Sequence, residues 1–257
     1  MDKDALDSSL QEILDHIERR RKEIPADFYS LVRVPNLFMF TQRVRVLLKL
    51  LRQQGLIPLA KRRILEVGCG EGSWLVYLML WGATPDLMSG IDLDQQALKQ
   101  AMRRLPEADL RFGNAADLPW SDNSFDIVLQ MTAFSTMLDG RLRQDAAREM
   151  MRVVKPDGVI IWYDLRFDNP KNPSIRPVKA REIKEMFPGC SVKLKRVTLV
   201  PPLMRWIVPV SWILALLLEK IPLLRSHLLG RIRPPQTANS TTGSKSSPVG
   251  SSVTRIP

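Results

Sequence analysis

Two spacings of apolar residues alternate along this chain of 257 residues. In residues 8–23, Leu10, Ile13, Leu14 and Ile17 recur at the three- and four-residue steps of a helix with one apolar face. Ser8 or Ser9 is placed to cap it, and Pro25 ends the stretch. A second helical pattern covers 36–54 through Leu37, Phe40, Val44, Leu47, Leu48 and Leu51, with Gly55 as its stop. Beyond Pro58 the pattern changes to short apolar runs at 63–68, 87–92, 108–112, 125–130, 158–164 and 190–199. Helical stretches at 72–81, 95–104, 140–152 and 178–186 fall between them. That alternation predicts βαβ units in an α/β doubly wound fold, a parallel sheet with helices on both faces. Turn residues punctuate it: Pro119 and SDNS before the fourth strand, KPDG before the fifth, FPGC before the sixth.

The C-terminal part departs from this rhythm. From Val197 to Leu218 only Arg205 is charged, but Pro201, Pro202 and Pro209 break the run and leave about a dozen clean apolar residues. A membrane-spanning helix needs about 20, so a span is not expected. The last stretch, PPQTANSTTGSKSSPVGSSVTRIP, is rich in Ser, Thr, Gly and Pro and is expected to be disordered.

Charge sharpens the picture of that region. The formal net charge is +11, and residues 171–233 hold thirteen Lys and Arg against three Glu. Such a basic flank suits an anionic partner, whether phosphate, membrane surface or nucleic acid, or else a solvated face. The two cysteines, Cys69 and Cys190, have no spacing that suggests a disulfide framework or a zinc site, and no metal is expected. The N-terminus is charged throughout and lacks an apolar signal core, so a cytoplasmic location is the default.

The candidate chemistry lies in RILEVGCGEGSWL, residues 63–75, where Gly68, Gly70 and Gly72 follow an apolar strand pattern. Glycines at a strand-to-helix turn let backbone approach a ligand, with free helix amides behind them. Dinucleotides and S-adenosylmethionine both use such a turn. The dinucleotide pattern G-x-G-x-x-G fails at Ser73, and no Gly-Lys-Ser/Thr follows to make a P-loop. Twenty residues past Gly72, Asp92 ends LMSGID, where a carboxylate can accept from two adjacent ribose hydroxyls. Asp94 is placed to cap the next helix.

Four stretches in order, ILEVGCGEG, GIDLD, GNAADLPWSDNSFDIVLQ and REMMRVVKPDGVIIWYD, resemble class I S-adenosylmethionine-dependent methyltransferases over about residues 60–165. The nearest likeness is to the ubiquinone/menaquinone-type small-molecule group. The resemblance implies a Rossmann-like, seven-stranded, mostly parallel sheet whose last two strands, CSVKLKRVTL and SHLLGRIRP, are antiparallel. An apolar helix at about 203–221 would join them, within a domain at 58–233 flanked by an N-terminal helical cap (1–57) and a disordered tail (234–257). It also implies S-adenosyl-L-methionine as cofactor. Glu66 and the Gly68–Cys69–Gly70–Gly72 backbone would cradle its methionine part, with Gln130 at the same end. Asp92 would take the ribose, Leu93 would pack on the adenine, and Asn114 with Ala115 would read the adenine edge. Asn114 stands where the family has an acid.

Transfer from a sulfonium demands alignment above all, and a general base only for a hydroxyl acceptor. Tyr29, Asp139, Tyr163, Asp164 and His227 are the candidate bases, Asp164 the first choice from its place at a strand end. Both histidines, His16 and His227, are more readily read as structural or surface residues. No Asn/Asp-Pro-Pro-aromatic motif follows the fourth strand, which argues against a DNA adenine acceptor. The expectation is an enzyme acting on a small-molecule, lipid-linked or glycan-linked acceptor, anionic and amphiphilic in character, with peripheral contact at the inner membrane surface. The alternative is a non-catalytic module that binds an anionic partner such as RNA, against which stands the lack of interleaved aromatics in the basic region.

Overall fold

The computed structural model describes residues 3–25, 27–168 and 174–235. Two helices lead the chain, α1 (Lys3–Glu23) and α2 (Val34–Gln53). The βα units follow: β1 (Ile64–Val67), α3 (Ser73–Leu80), β2 (Met88–Asp92), α4 (Gln95–Arg104), β3 (Asp109–Phe112), β4 (Phe125–Met131), α5 (Gly140–Val153), β5 (Val154–Leu165) and α6 (Ala180–Met186). The chain closes with β6 (Ser191–Leu199), α7 (Pro201–Ile207), α8 (Trp212–Leu218) and β7 (Arg225–Arg233). One seven-stranded sheet has the order β3-β2-β1-β4-β5-β7-β6. Only β7 runs against its neighbours, pairing antiparallel with both β5 and β6.

The central strands are apolar on both faces, and their alternation assigns each residue to one of two cores. Ile127 and Leu129 of β4, with Val159, Ile161 and Tyr163 of β5, pack with Leu47 and Leu51 of α2, Leu75 of α3 and Leu98 of α4. The residues between them, Val128, Ile160 and Trp162, pack on the other face with Leu142 and Ala146 of α5, Ile183 of α6 and Ile13 of α1. Each of these large side chains contributes roughly 1.5–3 kcal/mol by leaving water. This two-sided burial is why the strands read as continuous apolar runs.

Three expectations change in detail. α1 starts at Lys3, so Ser8 and Ser9 lie inside it, and the Ser9 hydroxyl donates to Asp139 Oδ2 at 3.2 Å instead of capping. β5 begins at Val154 rather than 158, because KPDG forms an irregularity within the strand: Phe125 pairs Val154, and Ile127 then pairs Val159. The single helix expected at 203–221 is two seven-residue helices, α7 and α8, divided where Pro209 cannot continue a helical ladder. Phe38, Leu199, Met204, Val208 and Ala215 form a small core beneath them. Among the described residues no helix is long and apolar enough to cross a membrane. Most of the tail expected to be disordered lies outside the described residues.

Candidate functional site

The turn from β1 to α3 is five residues long, and Gly68, Gly70 and Gly72 take φ of +73°, +51° and +72° there. Side chains disfavour that region, so this path requires glycine. The amides of Gly68 and Cys69 both donate to the Ile91 carbonyl, at 2.9 and 3.0 Å, which hangs the turn on the end of β2. The Gly70 amide donates to Asp92 Oδ2 at 2.6 Å, and the Asp94 amide donates to Asp92 Oδ1 at 2.8 Å. Asp92 therefore orders the glycine turn and the entry to α4 together. Asp94 caps α4, accepting from the amides of Gln96 and Ala97. The glycines differ in what surrounds them. A Cβ on Gly68 would sit 2.6 Å from the Ala133 Cβ, whereas a Cβ on Gly70 would meet nothing within 4 Å.

That open space is a cavity of about 240 Å³ at the carboxyl ends of the strands. Gly68, Gly70, Asp92, Leu93, Asn114 and Ala115 line it from the βα loops. Thr132, Ala133, Thr136 and Met137 line it from the turn after β4, and Ile13 and Ile17 of α1 close it from above. α1 is held across the mouth by Arg21, whose guanidinium donates to both oxygens of Asp94 at 2.8 and 2.7 Å. Asn114 Oδ1 accepts from the Ala116 amide at 2.9 Å, which fixes the turn after β3.

Behind the lining sit buried polar groups. Glu66 and Gln130 stand on the neighbouring strands β1 and β4, and Glu66 Oε2 and Gln130 Nε2 are buried without a hydrogen-bond partner. Burial first, and then the Asp92 carboxylate, hold the Glu66 carboxyl well above the usual range. Burial also raises Asp92, while the amides of Asp94 and Gly70 pull it down. Cys69 is buried and outside the cavity wall, and Gly72 packs against Ala101 of α4.

Asp164 is not on the wall of the cavity. Its Oδ2 accepts from the Ser135 amide at 3.1 Å and its Oδ1 from the Leu165 amide at 2.7 Å, so its oxygens brace the turn that carries Thr132 to Thr136. Burial pushes it up to about 6. Asp139 caps α5, and the Tyr163 hydroxyl is buried against Thr198 Oγ1 at 2.8 Å. The His227 ring stacks on Tyr163, centroids 4.8 Å apart. His16 is buried, its Nε2 without a partner. Thr132, a β-branched residue at φ +72°, and Met137 also line the cavity, and neither carries a signal in the sequence pattern. Met137 is anchored through the fully buried Arg143, which donates to the carbonyls of Met137 and Arg176 and pairs with Glu182 at 2.7 Å.

With this geometry in view, residues 65–162 match the family model described as "Methyltransferase domain". The match begins on β1, one residue ahead of Glu66, and ends at Trp162 on β5, so it takes in the glycine turn, Asp92, Asn114 and Gln130. Over these residues the chain is similar to methyltransferase domains. Over 121 residues it is 36% identical to the "Phthiotriol/phenolphthiotriol dimycocerosates methyltransferase 1" of Mycobacterium ulcerans, 44% of this chain and 41% of that one. Over 143 residues it is 32% identical to a Mycolicibacterium smegmatis protein named "Probable S-adenosylmethionine-dependent methyltransferase", 50% of this chain and 51% of that one. The chain thus spans about half the length, or less, of these curated relatives. In fold the chain is similar to Haemonchus contortus phosphoethanolamine N-methyltransferase 1, solved with phosphoethanolamine and S-adenosylhomocysteine. The TM-score is 0.60 at 13% identity, over 88% of this chain and 49% of that one.

One of these relatives is named for S-adenosylmethionine, and the residues present here fit such a group. Two buried polar atoms, Glu66 Oε2 and Gln130 Nε2, lack partners beside a cavity that Gly70 leaves free.

Proposed function

We propose that this chain transfers a methyl group from S-adenosylmethionine to a small-molecule, lipid-linked or glycan-linked acceptor. The observation that carries the proposal is the Gly68–Gly72 turn tied through Gly70 to Asp92 at the mouth of the cavity. When bound, the cofactor supplies a methyl group already activated on a sulfonium. The protein's part is to bind, orient and exclude water. Asp92 would offer two acceptor oxygens to paired ribose hydroxyls, Leu93 an apolar surface to the base, and Asn114 with Ala115 its edge. Glu66 and Gln130 would satisfy their free polar atoms on the amino-acid end, with the Gly68–Gly72 backbone beside them. Ile13 and Ile17 would keep water off the site from above. Asp164 positions the turn after β4 through the backbone amides that bond its two oxygens.

Two observations support a lipid-related acceptor met at a membrane surface. One is the name of the Mycobacterium ulcerans relative, a phthiotriol/phenolphthiotriol dimycocerosates methyltransferase. The other is the outer face of α7, α8 and the turn after them, where Trp206, Val210, Ile213, Leu217 and Leu223 are 82%, 85%, 72%, 54% and 75% exposed. Scattered apolar residues are ordinary, but a cluster of this size marks an interaction surface. Arg205 and Lys220 are exposed beside it, which suits anionic headgroups. Labelled cofactor offered with a cell extract tests the proposal. A labelled product that partitions into organic solvent is the expected result, and no labelled product from any fraction would oppose it.

A further inference from the structure

A second cavity, of about 580 Å³, lies on the α2–α3 side of the glycine turn. Gly70 lines the first cavity and Glu71 the second, so one peptide separates them. The Thr132 amide, on the wall of the first cavity, donates at 2.8 Å to the carbonyl of Tyr163, whose ring lies next to Arg43 of the second. The walls are aromatic and cationic: Phe40, Trp74, Tyr77, Arg43 and Arg104, with Tyr29 at the rim.

The two arginines are not equivalent. Arg104 pairs with Glu71 at 3.1 Å. Arg43 forms no ion pair among the described residues, and its Nε is buried without a hydrogen-bond partner. Its guanidinium carbon lies 5.6 Å from the ring centroid of Trp74 and 5.8 Å from that of Tyr163, so rings fix the cation in place. Those rings soften its isolation without neutralising it. A guanidinium held by planar groups and lacking a carboxylate is prepared for a bidentate anion. The aromatic walls around it suit an apolar body on the same molecule.

We propose that this cavity is an acceptor subsite for an apolar-bodied anion, a carboxylate or phosphate on an alkyl or aryl group, with Arg43 as its counter-charge. The assignment rests on the methyl-transfer function proposed above, because it places this anion beside the cofactor cavity. The same carboxylate chemistry is present in the amino-acid end of the cofactor, so the test separates the two sources.

The full chain, preloaded with S-adenosylhomocysteine, is titrated calorimetrically with octyl phosphate and with uncharged octyl glucoside. Octyl phosphate is expected to bind at least tenfold more tightly. Arg43→Gln is expected to weaken octyl phosphate at least tenfold and leave S-adenosylhomocysteine affinity unchanged, with Arg43→Lys intermediate. Ser30 also lines this cavity, and Ser30→Asp, which adds a carboxylate there, is expected to weaken octyl phosphate as well. Equal binding of the two probes, or unchanged octyl phosphate binding in Arg43→Gln and Ser30→Asp, would overturn the proposal. So would Arg43→Gln losing S-adenosylhomocysteine while keeping 5′-methylthioadenosine, which lacks the carboxylate; Arg43 would then serve the cofactor. A wild-type chain that takes octyl phosphate but not S-adenosylhomocysteine would instead refute the methyl-transfer function itself.

Discussion

The Gly70 amide donates to Asp92 Oδ2 at 2.6 Å across twenty-two residues of chain. That contact makes one unit of two features otherwise separate in the sequence, the glycine turn after β1 and the acid ending β2. On the same turn a Cβ at Gly70 would enter open space, while one at Gly68 would meet Ala133.

The two glycines should therefore fail differently. Gly68→Ala forces a Cβ to 2.6 Å from Ala133 at φ +73°, and is expected to lower stability by about 2 kcal/mol or more. Gly70→Ala meets only open space at φ +51°, so its stability loss is expected to be about 1 kcal/mol. S-adenosylhomocysteine affinity should nevertheless fall severalfold in Gly70→Ala, because the methyl group enters the cavity. Denaturant midpoints and calorimetry on both variants check this. Equal stability losses, with affinity retained in Gly70→Ala, would remove Gly70 from the site.

Histidine 227 gives a pH dependence with a definite sign. Burial, and then Arg43, hold its pKa down at about 3, against an ordinary value of 6.5. A group with a depressed folded-state value contributes stability above its unfolded pKa and loses it as pH falls through the window between the two. From pH 7 to pH 5 this residue should cost the native state on the order of 2 kcal/mol. His227→Phe keeps a ring on Tyr163 and removes the titration. Its denaturant midpoint should fall less than that of the wild type over the same range, and parallel curves would show that His227 does not stay neutral in the fold.

Much of this architecture was legible because both faces of the central strands are covered. Ile127, Val128 and Leu129 alternate between two cores, so the run reads as wholly apolar and its flanking helices read by their own period. Gly68 to Gly72 and Asp92 were legible because backbone conformation and ligand chemistry restrict those positions to few residue types. Arg43 and Met137 were not, since each reaches its cavity through packing across distant segments: Arg43 between the rings of Trp74 and Tyr163, Met137 through Arg143. The division of the 203–221 helix was signalled by Pro209, whose missing amide ends α7 before α8 begins.

The exposed face of α7 and α8 bears on membrane contact. Vesicles of phosphatidylglycerol should co-sediment the protein at low salt and less so at high salt, because basic residues attract the surface and salt screens them. Phosphatidylcholine vesicles should capture much less. Trp206→Ser with Ile213→Ser should abolish capture without altering S-adenosylhomocysteine affinity, as Trp206 and Ile213 are 82% and 72% exposed. Undiminished capture of that double variant would place the contact elsewhere.

Calorimetric titration of wild type and Asp92→Ala with S-adenosylhomocysteine tests most directly whether the cavity beside Asp92 holds the proposed cofactor. The expected result is one molecule bound per wild-type chain and an affinity at least about tenfold weaker in the variant, on the order of 1.4 kcal/mol, with the fold retained by circular dichroism. Absence of binding to the wild type, or the same affinity in a folded Asp92→Ala variant, would contradict that placement.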